Sequence, residues 1–207
     1  ELTPRTVLCL GSWPTSKVLR AWLEQSGAEI VLVTERIDNR DCLHGRTRHM
    51  RVPVETLASA RASEKVADLA YAQLWSEADQ VVSSALKTIP RTHENFEGDI
   101  APILAAALPS YTPLYVASSM AIRDVEYFWP VSDRGPRMYF NRGANGIDGT
   151  LSTALGVAHR NQPSVLLTGD LAFLHDSNGL LLREKFVGSL TVVLINNNGG
   201  GIFEHLP

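Results

Sequence analysis

The sequence predicts an α/β fold of parallel, Rossmann-like sheets split between two partial domains. Three observations predict it. Short apolar runs rich in β-branched residues, such as Glu29 to Thr34, Ser164 to Thr168 and Thr191 to Ile195, end abruptly in polar groups, as strands buried on both faces do. Segments with helical spacing lie between these runs and make βαβ units. Two of the strand ends carry oxygen-bearing side chains, Asp170 and Asn197, about one crossover apart.

In chain order, Val7 to Gly11 is a short strand, followed by a helix from Pro14-Thr15-Ser16 to about Gln25, with Thr15 or Ser16 as cap and Gly27 as stop. Glu29 to Thr34 is the second strand, and His49 to Val52 a further one. No G-x-G-x-x-G follows the first strand, so residues 1–60 read as part of a middle Rossmann-like scaffold domain without a dinucleotide site. Residues 61–99 read as a connecting helix and linker. Val66, Leu69, Ala70, Leu74, Ala78, Val81 and Val82 form the apolar stripe of a packing helix from Glu64 to about Leu86, and Pro90 to Gly98 is a polar loop. Residues 100–207 read as one further domain. It has a helix from Ile100 to Ala107, a strand from Leu114 to Ala117 and a helix starting near Met120. A strand at Arg137 to Phe140, a glycine-rich loop to Gly149 and a helix from Leu151 to His159 come next, then the strand ending at Asp170.

The chain has 207 residues, 44% hydrophobic and 20% charged, an ordinary globular composition. A net charge of −3 gives no reason to expect nucleic acid. No apolar run approaches the roughly 20 residues of a membrane helix. Cys9 and Cys42 read as free thiols of a reducing compartment. His44, His49, His159, His175 and His205 lack metal-ligand spacing and read as structural or surface residues. The chain starts at Glu1 without Met and stops at Pro207, directly after the candidate site, so it is expected to be cut from a longer protein.

Ligands of open α/β sheets sit beyond the carboxyl ends of the strands. Asp170 and Asn197 would therefore share one crevice. Their oxygens, with a backbone carbonyl from the glycine-rich turn, suit Mg²⁺, which takes few protein ligands and completes its octahedron with phosphate and water. Taken alone, a helix cap for Asp170 and a turn for the asparagines would be the better readings; it is the spacing, the Asn run and the glycines together that favour the metal site. Gly200 and Gly201 would let backbone approach a phosphate, and a helix starting near Ile202 would offer it an N-terminus.

A Gly-Asp pair followed just under thirty residues later by Asn-Asn is similar to the diphosphate-binding motif of thiamine diphosphate enzymes. With the run FNRGANGIDG at Phe140 to Gly149 and the tail NNNGGGIF at Asn196 to Phe203, the chain resembles one branch of them. That branch is the 2-succinyl-5-enolpyruvyl-6-hydroxy-3-cyclohexene-1-carboxylate synthases of menaquinone or phylloquinone biosynthesis, where Leu, as at Leu171, follows Gly-Asp. The resemblance is closest over 114–207 and looser over 1–60.

The resemblance implies a thiamine diphosphate-binding fold whose diphosphate domain, 100–207, is truncated at its C-terminal end. It implies Mg²⁺ or Mn²⁺ held by Asp170, Asn197 and the Gly199 carbonyl. The cofactor would meet Ser118, Ser119, Asn145, Gly146, Gly169, Leu171, Gly200 and Ile202, with Ile147 wedged beneath it to bend its two rings together. Arg123 and Arg142 would be catalytic, gripping the carboxylates of the substrates 2-oxoglutarate and isochorismate, with Lys17, Phe203 and Leu206 completing the pocket. Val18 departs from relatives that carry Arg there. The bland readings are a helix cap for the serines, core packing for Ile147, Phe203 and Leu206, and solvated surface for the arginines. The implied activity is a transferase one: decarboxylation of 2-oxoglutarate and addition of the product to isochorismate. The implied state is a cytoplasmic (or plastid) homo-oligomer, dimer or tetramer, with the site shared between subunits. The activating Glu is expected upstream of Glu1, so the chain alone should bind Mg²⁺-diphosphate weakly and turn over nothing. Two rivals remain: another thiamine diphosphate carboligase or decarboxylase, and a non-catalytic nucleotide-binding scaffold.

Overall fold

The computed structural model describes residues 2–37, 43, 46–59, 69–88, 96–141 and 146–205, the last by its backbone alone. Contacts divide the chain into two units, Glu1–Thr92 and His93–Pro207.

The first unit holds a three-stranded parallel sheet in the order β1 (Thr6–Leu10), β2 (Glu29–Val33), β3 (Thr47–Met50). Helix α1 (Lys17–Ser26) crosses from β1 to β2. Its ends follow the local chemistry: the Ser16 hydroxyl accepts from the Leu19 amide at 3.1 Å, and Gly27 stops the helix in the left-handed region at φ 67°. Leu23, Ile30 and Leu43 form the core of this unit, with Trp13 and Trp22 packed against it. Helix α2 (Leu69–Thr88) lies in this unit, and Trp75 meets Trp22 edge to face at 6.0 Å. The helical spacing is correct, and the packing is partial: Trp75 meets Trp22, but no residue of α2 is buried. The start of that helix at Glu64, Cys42 and most of the 90–98 loop lie outside the described residues.

The second unit opens with a 3₁₀ turn, Glu97–Asp99, where a plain loop was expected, and the turn runs into α3 (Ile100–Ala107). Next come β4 (Pro113–Val116), α4 (Met120–Phe128), β5 (Arg137–Tyr139), α5 (Thr150–Ala158) and β6 (Ser164–Gly169). The expected single helix before β7 (Leu190–Ile195) is instead a six-residue α6 (Asp170–His175) and a 3₁₀ stretch, Ser177–Glu184.

All four strands are parallel, in the order β5-β4-β6-β7. Strands β4 and β6 are central and buried on both faces. Leu114, Val116, Val165 and Leu167 pack on one side against Leu104 of α3 and Ala121, Ile122 and Val125 of α4. Tyr115 and Leu166 pack on the other against Leu151 and Ala154 of α5. Period-2 alternation thus supplies two cores from one pair of strands.

Candidate active site

The strand order makes the site. The chain leaves β4 for β5 on one side, then crosses to β6 on the other. Connections that diverge from neighbouring strands leave a crevice at their carboxyl ends, where α/β sheets bind ligands. A cleft of about 630 Å³, counting space open to solvent, lies there.

Each side of the cleft comes from a strand end. Ser118 and Ser119 follow β4, Gly169, Asp170 and Leu171 follow β6, and Asn197, Gly200, Ile202 and Phe203 follow β7. Ile147, ahead of α5, also lines it. Gly169 pairs with Ile195, which brings the ends of β6 and β7 level. Asp170 and Asn197 therefore line the same cleft despite their distance in sequence. The floor is tight. Asn198, Gly199 and Gly200 take φ 63°, 84° and 73°, a left-handed run that glycine accommodates without strain. A Cβ on Gly201 would sit 2.6 Å from Asn197 Nδ2.

The donor set fits a hard cation. Asp170 Oδ1 accepts from the Leu171 amide at 2.7 Å, leaving Oδ2 for another partner. Asn197 Oδ1 accepts from the Gly199 amide at 3.2 Å and keeps a second lone pair. Among the described residues no group of three His, Cys, Asp or Glu side chains could hold a metal, so any ion here would rest on mixed oxygen ligands of the kind Mg²⁺ takes.

Other expected site residues do not line the cleft, belong to the first unit or fall outside the described residues. Arg123 does not line the cleft. Its guanidinium donates to the Ser119 carbonyl one turn back along α4. Gly199 flanks the cleft through its bond to Asn197, and Gly146 is exposed beside it. Arg142, Asn145 and Leu206 lie outside the described residues. Lys17 is the first residue of α1 in the other unit. The helix expected near Ile202 is, over the described residues, a 3₁₀ turn at Gly201–His205 that follows the left-handed run. Ser119 starts α4, but its hydroxyl caps no amide. It sits at φ 77°, a strained value for a residue with a Cβ.

The sequence reading missed Glu97, Met120, Ala121, Ala172 and Ile195, all of which line the cleft. The apolar four carry no chemical signal. Glu97 accepts from Asn197 Nδ2 at 2.9 Å across a hundred residues, and nothing local announces that pairing. His159 Nδ1 accepts the Val187 amide at 3.2 Å, and His175 stands 3.2 Å from Asp148 in an exposed surface pair.

No protein-family model matches the chain. Curated relatives do. The 2-succinyl-5-enolpyruvyl-6-hydroxy-3-cyclohexene-1-carboxylate synthase of Trichormus variabilis is 50% identical over 209 residues, covering 100% of this chain and 36% of the relative. The synthase of that name from Trichodesmium erythraeum is 47% identical over 211 residues, with coverage of 100% and 36%. A solved structure described as a candidate thiamin diphosphate-dependent enzyme from Mycobacterium smegmatis shares the fold, with a TM-score of 0.53 and 14% identity over 95% of this chain and 39% of that one. The chain is a homologue, along all its residues, of the 2-succinyl-5-enolpyruvyl-6-hydroxy-3-cyclohexene-1-carboxylate synthases, and spans about a third of their length.

Proposed function

We propose that the protein is a thiamine diphosphate- and Mg²⁺-dependent transferase that decarboxylates 2-oxoglutarate and adds the four-carbon product to isochorismate, in menaquinone or phylloquinone biosynthesis. The observation that carries this is the pairing of Asp170 and Asn197 at adjacent strand ends of one glycine-floored cleft, in a chain half identical to synthases of that name. Asp170 and Asn197 would hold the ion, with the Gly199 carbonyl as third protein ligand. Gly200 and Gly201 keep side chains away from the diphosphate. Ser118 and Ser119 bring hydroxyls to the wall after β4, Ser118 by giving up its bond to the Asn141 carbonyl; Ile147 would wedge beneath the cofactor, and Ile202 and Phe203 give the pocket apolar surface. Thiamine diphosphate, when bound, supplies an electron sink for loss of carbon dioxide.

Both substrates carry two carboxylates, which suit guanidinium forks. Arg142 is one such fork in this proposal. Arg123 is the other, and it must exchange its bond to Ser119 for a substrate carboxylate. A homo-oligomer with the cofactor between subunits completes the picture.

The test is the full-length protein assayed with isochorismate and either 2-oxoglutarate or pyruvate. Turnover that needs 2-oxoglutarate, thiamine diphosphate and Mg²⁺ supports the proposal. Preference for pyruvate points to another carboligase of this cofactor class, and failure to bind thiamine diphosphate with Mg²⁺ to a scaffold role.

A further inference from the structure

Asn197 has a nearly symmetric amide, and only its oxygen can face a cation. A neighbour must tell the two ends apart. Glu97 Oε1 lies 2.9 Å from Asn197 Nδ2. A carboxylate only accepts hydrogen bonds, so it takes the NH₂ end and turns Oδ1 the other way. The Gly199 amide, which only donates, reinforces that choice by binding Oδ1 at 3.2 Å. Gly201 leaves the space the amide occupies, since a Cβ there would crowd Nδ2.

Glu97 is itself held firmly. It begins the 3₁₀ turn Glu97–Asp99, whose carbonyls accept the Ile100 amide. Beside it Phe96 and Phe128 meet edge to face at 5.2 Å. Gly98 is buried between these rings, and a Cβ there would run into both. The turn is thus fixed against α4, and its one acidic side chain in the cleft points at the amide that the proposed ion needs.

We infer that Glu97 is a positioning residue: by binding Asn197 Nδ2 it presents Asn197 Oδ1 to the divalent ion. This rests on the metal-site reading proposed above. Hydrogen-bonded partners behind metal ligands typically set about 10- to 100-fold of metal affinity.

The test is Mn²⁺ titration by electron paramagnetic resonance, with thiamine diphosphate present, on the full-length protein and its E97A and E97Q variants. Wild type should bind one Mn²⁺ per chain. E97A should bind it about 10-fold or more weakly. E97Q keeps a carbonyl that accepts from Nδ2 and should fall between the two. Excess Mg²⁺ should restore E97A turnover, and the metal-free melting temperatures should match. Should E97A fail to fold, E97Q carries the test, with an expected weakening of a few-fold. Wild-type affinity in E97A, or in E97Q when it stands alone, overturns the inference while leaving the metal site intact. Equal losses in E97A and E97Q also overturn it, because the charge rather than the amide orientation would then matter. Absence of Mn²⁺ binding by wild type defeats the metal-site reading and this inference with it.

Discussion

Ser119 shows at the residue scale how this site departs from comfortable backbone geometry. A non-glycine residue at φ 77° costs roughly 1–3 kcal/mol and persists only where its surroundings impose it. Its carbonyl is engaged by Arg123, and its hydroxyl, which caps nothing, is left for the cleft. Ser119→Gly should therefore raise the melting temperature while weakening thiamine diphosphate binding. Thermal denaturation and calorimetry on one sample separate the two effects, and a fall in both would place the hydroxyl's role in the fold. Tyr115 gives a pH prediction. Burial pushes its hydroxyl above the ordinary value, with hydrogen bonds involving Thr153 and Asn141 pulling the other way and the Asp176 charge adding to the rise. The folded protein then holds this proton to higher pH than the unfolded chain. The associated stability is complete below about pH 10 and is lost as pH climbs through the folded value. Tyr115→Phe should flatten that part of the alkaline loss in melts between pH 8 and 11.

At the scale of elements, the sequence shows the strands more fully than the way their connections are held. Apolar runs with polar ends located β2, β4 and β6, since burial on both faces leaves an unbroken apolar string. The run at β7 was found the same way, but the expectation of a buried strand fails there: β7 is the edge of the sheet and none of its residues is buried. Ser16 and Gly27 marked α1 because both caps act locally. The start of α5 is different. Its N-cap is Gly149, which has no side chain to offer. Asp176, 24 residues on, accepts from the Ser152 amide at 2.6 Å and from the Ser152 hydroxyl at 3.1 Å. A cap borrowed from a distant segment leaves no mark in a local window. Asp176→Ala should cost about 0.5–2 kcal/mol, the usual range for a lost cap, read from denaturant unfolding. Because the bond ties α5 to the segment after α6, the change should also loosen the loop carrying Ile147. The Glu97 pairing was hidden for the same reason: residue types at a motif's spacing can be read along the chain, but contacts made by folding cannot.

On the scale of the whole molecule, the diphosphate-site motif and the parallel topology had a common cause. Strand ends place polar groups together only when the strands are neighbours, and the order β5-β4-β6-β7 makes β6 and β7 neighbours with level ends. The placement of Asp170 and Asn197 in one cleft was therefore implicit in their spacing. Arg123 was less legible, because motif position fixes its Cα and not the rotamer that binds Ser119. The chain covers about a third of its relatives' length. The central claim is that Asp170 and Asn197 jointly hold one divalent ion and, through it, a diphosphate. Its most direct measurement is calorimetric titration of thiamine diphosphate into the full-length protein with Mg²⁺, for wild type, D170A, N197A and the double variant. Each single change should weaken binding roughly 10- to 100-fold, as loss of one charge-assisted contact does, and the double variant should lose little more than the worse single one. Unchanged affinity in either single variant, or fully additive losses, would contradict a shared ion.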